Sequence, residues 1–333
     1  MKKVMFVNSG IIRGDRIETS SFVQSQALSL SHHWEVIWGL TGWDSTSLKS
    51  MFLNILKLRE LNKNSDLSIV HAQYGSINSF IAMMATKGKP FVVSFCGDDL
   101  LGTIQPGIKW RIREAVAKFL SLVTAFAADH IIVKSENIKR ALPGIWHRKV
   151  TIIPNGVDTS FFRPLDKLDS RKELGLSNGK YYVLFNHSVG NNLLRKNKPL
   201  ADAAINKVKL HFPEVELLVT GRVPHHQMPL YINSADVVLL TSLHEGSPNI
   251  IKEAMASNVP VVSVPCGDAL ERITDDSIGY VCPYDAEELA DKIVLILKDN
   301  RSSTGRDSLI KQGLSTEDVS KKIELVYNLV LSK

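Results

Sequence analysis

Cysteine is scarce in this chain of 333 residues: Cys96, Cys266 and Cys282 are the only three, and no two stand at a paired spacing. That argues against a disulfide framework and a cysteine-based zinc site and points to the reducing cytoplasm. No apolar run approaches the roughly 20 residues needed to span a bilayer. Met1-Lys2-Lys3 begins like a secretory leader, but Val4 to Val7 is far shorter than an h-region and reads as a first strand. No Gly-x-Gly-x-x-Gly occurs, which weakens a dehydrogenase reading. Nucleic-acid motifs, internal repeats and low-complexity segments are lacking too, so nucleic acid is not an expected partner.

What is present is the composition of an ordinary globular protein, 44% hydrophobic and 22% charged. Its length exceeds what one core organises, which favours two domains of about 150 residues. Apolar runs rich in valine, isoleucine and leucine alternate with segments of helical spacing. Strands are expected at Lys3 to Asn8, Glu35 to Trp38, Leu67 to Ala72, Phe91 to Phe95, His130 to Lys134 and Val150 to Ile153. A second alternation runs through Tyr181 to Phe185, Val215 to Thr220, Val237 to Leu240 and Val259 to Val264. Strands alternating with helices build parallel sheets covered on both faces, here two doubly wound α/β units in tandem. Phe161 to Gly179, with Pro164, charges and glycines, is the expected linker.

The formal charge of +6 favours an acidic partner. Basic and apolar residues share helical spacing in Lys49 to Lys63 and again in Lys109 to Phe126, where Trp110 lies near one end. Such helices either lie on an anionic membrane surface or are core helices with a solvated basic face.

The most informative stretch is Glu245 to Glu253, two carboxylates eight positions apart. Ala235 to Ser242 before it has the pattern of a buried parallel strand. Ile250 to Ser257 after it is helical, with Asn258 as a stop. Ser247 is the expected N-cap and Pro248 the first helical residue, since proline has no N–H to lose there. The free N–H groups of such a helix face the carboxyl end of the sheet and attract anions. Glu245 can accept hydrogen bonds from sugar hydroxyls, and Glu253, about two turns in, from a ribose diol.

This segment resembles the Glu-x7-Glu signature of retaining glycosyltransferases of family 4, and EAMASNVPVVS is similar to the continuation that follows it there. Ile153-Pro-Asn-Gly-Val-Asp158 with Phe162-Arg-Pro164 resembles the family's hinge-side segment. The resemblance implies the GT-B fold, two Rossmann-like domains facing a cleft. Residues 1–162 would bind acceptor, residues 163–314 would bind the donor, and the helix at 315–333 would cross back onto the first domain.

By the same resemblance Lys196 stands at the phosphate-binding lysine, and Arg195 substitutes from a neighbouring position for the family arginine, whose place is taken by Asn191. Gly221 and Arg222 match the glycine turn beneath the nucleotide, and Gly246, Ser247, Pro248 and Asn249 complete the donor loop. Ser94 to Asp99 resembles the family loop that ends in aspartate, with Cys96 in place of its histidine, followed by Gly97. Asp99 would hold domain closure or the acceptor. As residues alone, His71 is a cleft or a structural histidine, and Ser9, Gly10, Arg13 and Arg16 form a flexible loop able to meet acceptor or donor phosphates. His225 and His226 read as a surface pair.

No Asp-x-Asp is present, and the adjacent pairs Asp98-Asp99 and Asp275-Asp276 are poor metal sites. The resemblance accordingly implies a metal- and cofactor-independent retaining transfer from a UDP- or GDP-sugar. It further points to the branch that assembles bacterial surface polysaccharides of the teichuronic acid or capsule type, with a lipid-linked saccharide acceptor at the inner face of the cell membrane. An epimerase of the same fold and a non-catalytic sugar-nucleotide-binding scaffold are the alternatives.

Overall fold

The structure, a computed structural model, describes the chain except residues 15, 43–46, 104–106, 188–192, 222 and 301. Its residues gather into two compact units, Met1–Gly156 with Thr316–Lys333, and Val157–Ser315. The border falls after Gly156 rather than after Phe162, for a packing reason. Val157 and Phe162 are buried in the second core, and Arg306 fastens the carbonyls of Thr159 and Phe162 at 2.8 and 3.1 Å.

The first unit is built on strands β1 (Lys2–Asn8), β4 (Trp34–Leu40), β5 (Ile69–Ala72), β6 (Phe91–Phe95), β7 (His130–Val133) and β8 (Val150–Ile152). They form one parallel sheet in the order β4-β1-β5-β6-β7-β8. A small antiparallel hairpin, β2 (Ile11–Arg13) with β3 (Arg16–Glu18), follows β1. The expected flexible loop is therefore ordered backbone on both sides of its tip, and Arg13 is exposed and paired with Glu18 at 3.6 Å.

Alternate residues along the parallel strands feed two cores, one on each face of the sheet. The helix Thr316–Leu331 covers one face, burying Val319, Ile323, Val326, Tyr327 and Val330 among Val4, Phe6, Ile69, Val92 and Ile132. The spacing of those five residues is that of a single apolar helical stripe, and each such burial stabilises by roughly 1.5–3 kcal/mol.

In the second unit β9 (Tyr181–Phe185), β10 (Val215–Val219), β11 (Val237–Leu240), β12 (Val261–Ser263) and β13 (Gly279–Val281) form a parallel sheet in the order β10-β9-β11-β12-β13. The strand β13 is packed so closely on its neighbour that a Cβ on Gly279 would meet the Val261 carbonyl oxygen at 1.9 Å. The expected linker contains a helix, Lys167–Glu173, capped by Asp166. Arg171 anchors it through Asp236 and the Ser234 carbonyl, at 2.8 and 2.9 Å.

Candidate functional site

Charged side chains of the second unit converge at the carboxyl ends of its strands, where open parallel sheets place their ligand sites. Glu245 lies in the loop after β11 and is buried. Its Oε2 accepts from Arg195 Nη1 at 2.6 Å and its Oε1 from Lys196 Nζ at 2.8 Å. The short helical turn Leu193–Lys196 is held against this loop by backbone: Leu243 N donates to the Arg195 carbonyl at 2.8 Å. Thr241 Oγ1 donates to the Lys196 and Asn197 carbonyls at 2.9 and 3.1 Å. Burial alone would raise the Glu245 pKa, but Lys196 and Arg195, with hydrogen bonds from Lys196 and Ser242, hold it below the ordinary value.

The helix of the motif spans Asn249–Ala256 and is capped by Pro248, with no side-chain cap. The expectation of Ser247 as N-cap is corrected: its hydroxyl is drawn sideways, donating to Asp268 Oδ2 and accepting from Lys252 Nζ, both at 2.8 Å. Arg272 pairs with the same Asp268 oxygen at 3.1 Å. Asn258, at φ 55°, ends the helix in the left-handed conformation that a stop residue adopts.

Glu253 is partly buried. Burial pushes its carboxyl up to about 7, against the opposing influence of Lys252 and Lys196. It is thus no solvated helix glutamate, and it feels the same Lys196 that pairs with Glu245.

Lys252, Asp268, Arg272 and Tyr284 belong to this neighbourhood and were not anticipated. The Tyr284 hydroxyl donates to the carbonyls of Ser242 and Leu243 at 3.0 and 3.2 Å. The sequence signal available was Cys266-Gly-Asp268 just past an apolar strand, because the end of a parallel strand is where a site is sought. Gly267 at φ 61° lets this loop press on the loop that carries Glu245 and Pro248, where a Cβ would meet Pro248 at 2.8 Å. Gly221 makes the turn after β10. Arg222 and Asn191 lie outside the described residues.

In the first unit the candidates gather at the ends of β1, β5 and β6. Asp99 is buried, and its carboxylate accepts from the N–H groups of Gly75 (2.9 Å), Gly97 (2.8 Å) and Cys96 (3.1 Å). With both oxygens engaged by backbone, Asp99 organises two loops rather than reaching outward. Burial raises its pKa, and those three bonds counter the shift. His71 is a core histidine, fully buried, bonded through Nδ1 to the Tyr327 hydroxyl at 2.6 Å and through Nε2 to Ser94 Oγ at 2.7 Å. Burial lowers its pKa well below the ordinary value, with Lys134 contributing, so it stays neutral.

Cys96 remains partly exposed, but burial of its sulfur pushes the thiol up to about 12, so it carries no charge. Ser9 Oγ accepts from Asn78 Nδ2 at 2.7 Å. Next to it Gly10 borders a cavity of about 510 Å³ lined also by Ile12, Thr41, Leu53, Asn54 and Lys57. His225 and His226 are exposed, His225 stacking on Phe161 at 5.5 Å. Among the described residues no group of three or more His, Cys, Asp or Glu is placed to hold a metal ion.

Two family models match the chain: "Glycosyltransferase Family 4" over residues 19–161 and "Glycosyl transferases group 1" over residues 189–299. The chain is a family 4-type glycosyltransferase. A similar curated protein is the putative teichuronic acid biosynthesis glycosyltransferase TuaC of Bacillus subtilis (strain 168), 23% identical over 74% of this chain and 64% of that protein. This glycosyltransferase therefore spans just under two thirds of that relative's length. N-acetyl-alpha-D-glucosaminyl L-malate synthase of Bacillus anthracis is 24% identical over 82% of this chain and 78% of that protein.

Among solved structures, sucrose-phosphate synthase from Thermosynechococcus elongatus superposes at a TM-score of 0.78, with 16% identity and 100% of each chain covered. HepE from Anabaena, in complex with UDP and glucose, superposes at 0.70, with 18% identity and coverage of 98% and 99%. These likenesses establish for this glycosyltransferase the GT-B fold of two Rossmann-like domains.

Proposed function

We propose that the protein transfers a hexose or N-acetylhexosamine from a nucleoside diphosphate sugar to a saccharide acceptor with retention at the anomeric carbon. The observation that carries this reading is the convergence of Arg195 and Lys196 on Glu245, with Glu253 within electrostatic reach of Lys196. In this reading the second unit holds the donor. The diphosphate draws Lys196 and Arg195, which offset the charge that develops as it leaves. Glu245 accepts hydrogen bonds from the sugar hydroxyls and Glu253 from the ribose diol. The acceptor hydroxyl, on the first unit, attacks from the face the diphosphate leaves, and a donor phosphate oxygen takes its proton. Two buried cations already supply the positive potential, so the reaction as proposed needs no metal or cofactor.

UDP and glucose bound to HepE support a uridine donor, and the name of the Bacillus subtilis relative supports a role in bacterial surface polysaccharide. Saturation-transfer NMR with a panel of UDP-, GDP- and dTDP-sugars, wild type beside Glu253→Ala, tests the reading. One donor family is expected to bind, and the substitution to weaken it at least about tenfold, since a lost hydrogen bond to a charged group is worth about 1.5–3 kcal/mol. Folded protein that binds no nucleotide sugar would overturn it and leave a scaffold with a decayed donor site in its place.

We place the acceptor on a membrane-borne lipid carrier, at the cytoplasmic face. The helix Ile108–Ala127 exposes Ile108, Ile112, Val116 and Phe119 between Lys109, Arg111, Arg113 and Lys118. The helix Leu48–Asn64 exposes Leu48, Phe52, Leu53 and Leu56 beside Lys49. No helix among the described residues is long and apolar enough to cross a membrane, whereas apolar side chains set among basic ones suit attachment to anionic headgroups. Co-sedimentation with phosphatidylglycerol vesicles at low salt is expected. Reversing both Arg111 and Lys118 to glutamate should weaken it at least about tenfold, at about 1 kcal/mol per basic residue lost at the surface. Equal sedimentation of wild type and variant, or none by wild type, overturns the membrane assignment.

A further inference from the structure

One buried cation of the first unit has no role in the chemistry above. Lys134 stands one residue past β7 and is 1% exposed, yet its ammonium has no hydrogen-bond partner among the described residues. A buried charge without a partner is among the costliest arrangements in a folded protein. Asp99, a candidate counter-charge, is already committed to the backbone N–H groups of Gly75, Cys96 and Gly97. Burial lowers the Lys134 pKa, and the nearby Asp99 carboxylate opposes that shift.

A second orphan lies on the same face. Phe95 pairs with Val133 in register, so Cys96 and Lys134 are neighbours one step beyond the strands. Ala72 pairs with Val93, which puts Gln73 beside Ser94. In-register neighbours of a parallel sheet project to one face, and Ser94 and Cys96, two apart, share it. Gln73 is fully buried. Its Nε2 meets His71 Nδ1 at 3.1 Å, while its Oε1 has no partner among the described residues. Cys96 is partly exposed, and its thiol is directed to the Gln73 backbone carbonyl at 3.5 Å. A cationic donor and an amide acceptor, both dry and both unsatisfied among the described residues, thus share one face of the sheet with Cys96, the one of the three that is partly exposed. Ser76, the first residue of the helix Ser76–Ala85, is held at φ 64°, a strained conformation for serine.

We propose that Lys134 and Gln73 form a binding site for a phosphorylated sugar, with the phosphate on the Lys134 ammonium and a sugar hydroxyl donating to Gln73 Oε1. This deepens the transferase reading and rests on it: the acceptor carries a phosphate close to the saccharide that receives the new sugar. Anion and hydroxyl are the two groups that satisfy this pair of orphans, whereas a neutral acceptor leaves the ammonium bare. The thiol of Cys96 fits beside them because, uncharged, it does not repel the phosphate.

The test is isothermal titration of the full-length protein with glucose 1-phosphate, inorganic phosphate and glucose, with and without UDP, for wild type, Lys134→Met and Gln73→Leu. Glucose 1-phosphate should bind wild type more tightly than either fragment does, and tenfold or more weaker to Lys134→Met. Inorganic phosphate should lose affinity in Lys134→Met and keep it in Gln73→Leu, which separates the sugar phosphate from the free anion as the true ligand. Lys134→Met should also melt higher than wild type, because an unpaired buried cation has been replaced by an apolar side chain of similar length. A lower melting temperature, or sugar-phosphate binding that ignores Lys134, overturns the proposal and leaves ordered water as what satisfies the pair. UDP binding separates the two readings: if UDP fails to bind while sugar-phosphate binding depends on Lys134, the donor assignment falls and this site stands. If UDP binds and the Lys134 dependence is missing, the reverse holds.

Discussion

Glu253→Gln is expected to make the protein more stable above pH 8 and, at the same time, to cost it its donor. Burial lifts the Glu253 carboxyl from its ordinary 4.5 to about 7. A carboxyl raised in the folded state stabilises that state fully below pH 4.5 and loses its contribution as the pH climbs through about 7. Glutamine never ionises, so the variant keeps what wild type gives up. The difference should be on the order of 1–3 kcal/mol at pH 8 and near zero at pH 4.5, at 1.36 kcal/mol per pKa unit reduced by partial solvent screening. In the proposed role of Glu253, donor affinity moves the other way, because the ionised carboxylate is the stronger acceptor for a ribose diol: wild-type affinity should fall as the pH drops below about 7, and the variant should show weak affinity throughout. Melting temperatures at the two pH values, with a UDP titration across the range, decide it. A variant that melts lower than wild type at pH 8 refutes the buried charge.

Glu245→Ala is expected to be strongly destabilising. It withdraws the carboxylate from two cations at once, Lys196 and Arg195, whose side chains are only 8% and 12% exposed. Breaking a buried pair from one side costs about 3–5 kcal/mol, and urea unfolding should register a loss of that size. UDP should then stabilise the variant by more than it stabilises wild type, because its diphosphate replaces the missing negative charge without having to displace Glu245. Turnover should still be lost with the contact to the sugar. If UDP stabilises wild type and variant equally, the cations do not meet the diphosphate.

Both effects concern residues visible in the bare sequence, and the reason is that they sit where local rules are strong. Buried parallel strands are continuous apolar runs, so Phe91–Phe95, Tyr181–Phe185 and Val237–Leu240 occur with the expected bounds. Elements held by long-range contacts were harder to see. The three residues Gly279–Val281 pair with β12 through backbone alone, and Lys167–Glu173 is helical partly because Arg171 reaches Asp236, far away in sequence.

The site divides along the same line. Glu245, Lys196 and Glu253 follow from spacing and resemblance, but their energetics do not. Nothing in the spacing says that Ser247 serves Asp268 and Lys252 instead of its helix, or that Asp99 spends its oxygens on three backbone N–H groups. His71 had two readings until Tyr327, 256 residues later, supplied its partner.

The helix Thr316–Leu331, which carries that tyrosine, bears on how the protein is made. The second unit is one uninterrupted stretch, Val157–Ser315, while the first unit needs Thr316–Lys333 to close one face of its sheet. On the ribosome the order of completion is therefore inverted: the unit synthesised second has all its parts first, and the one begun first waits with an apolar face covered only in part, by the helix Ser21–Leu30. That face is a ready surface for a holding chaperone, and a chain interrupted by premature termination after Ser315 would display it permanently, marking the unfinished product for degradation.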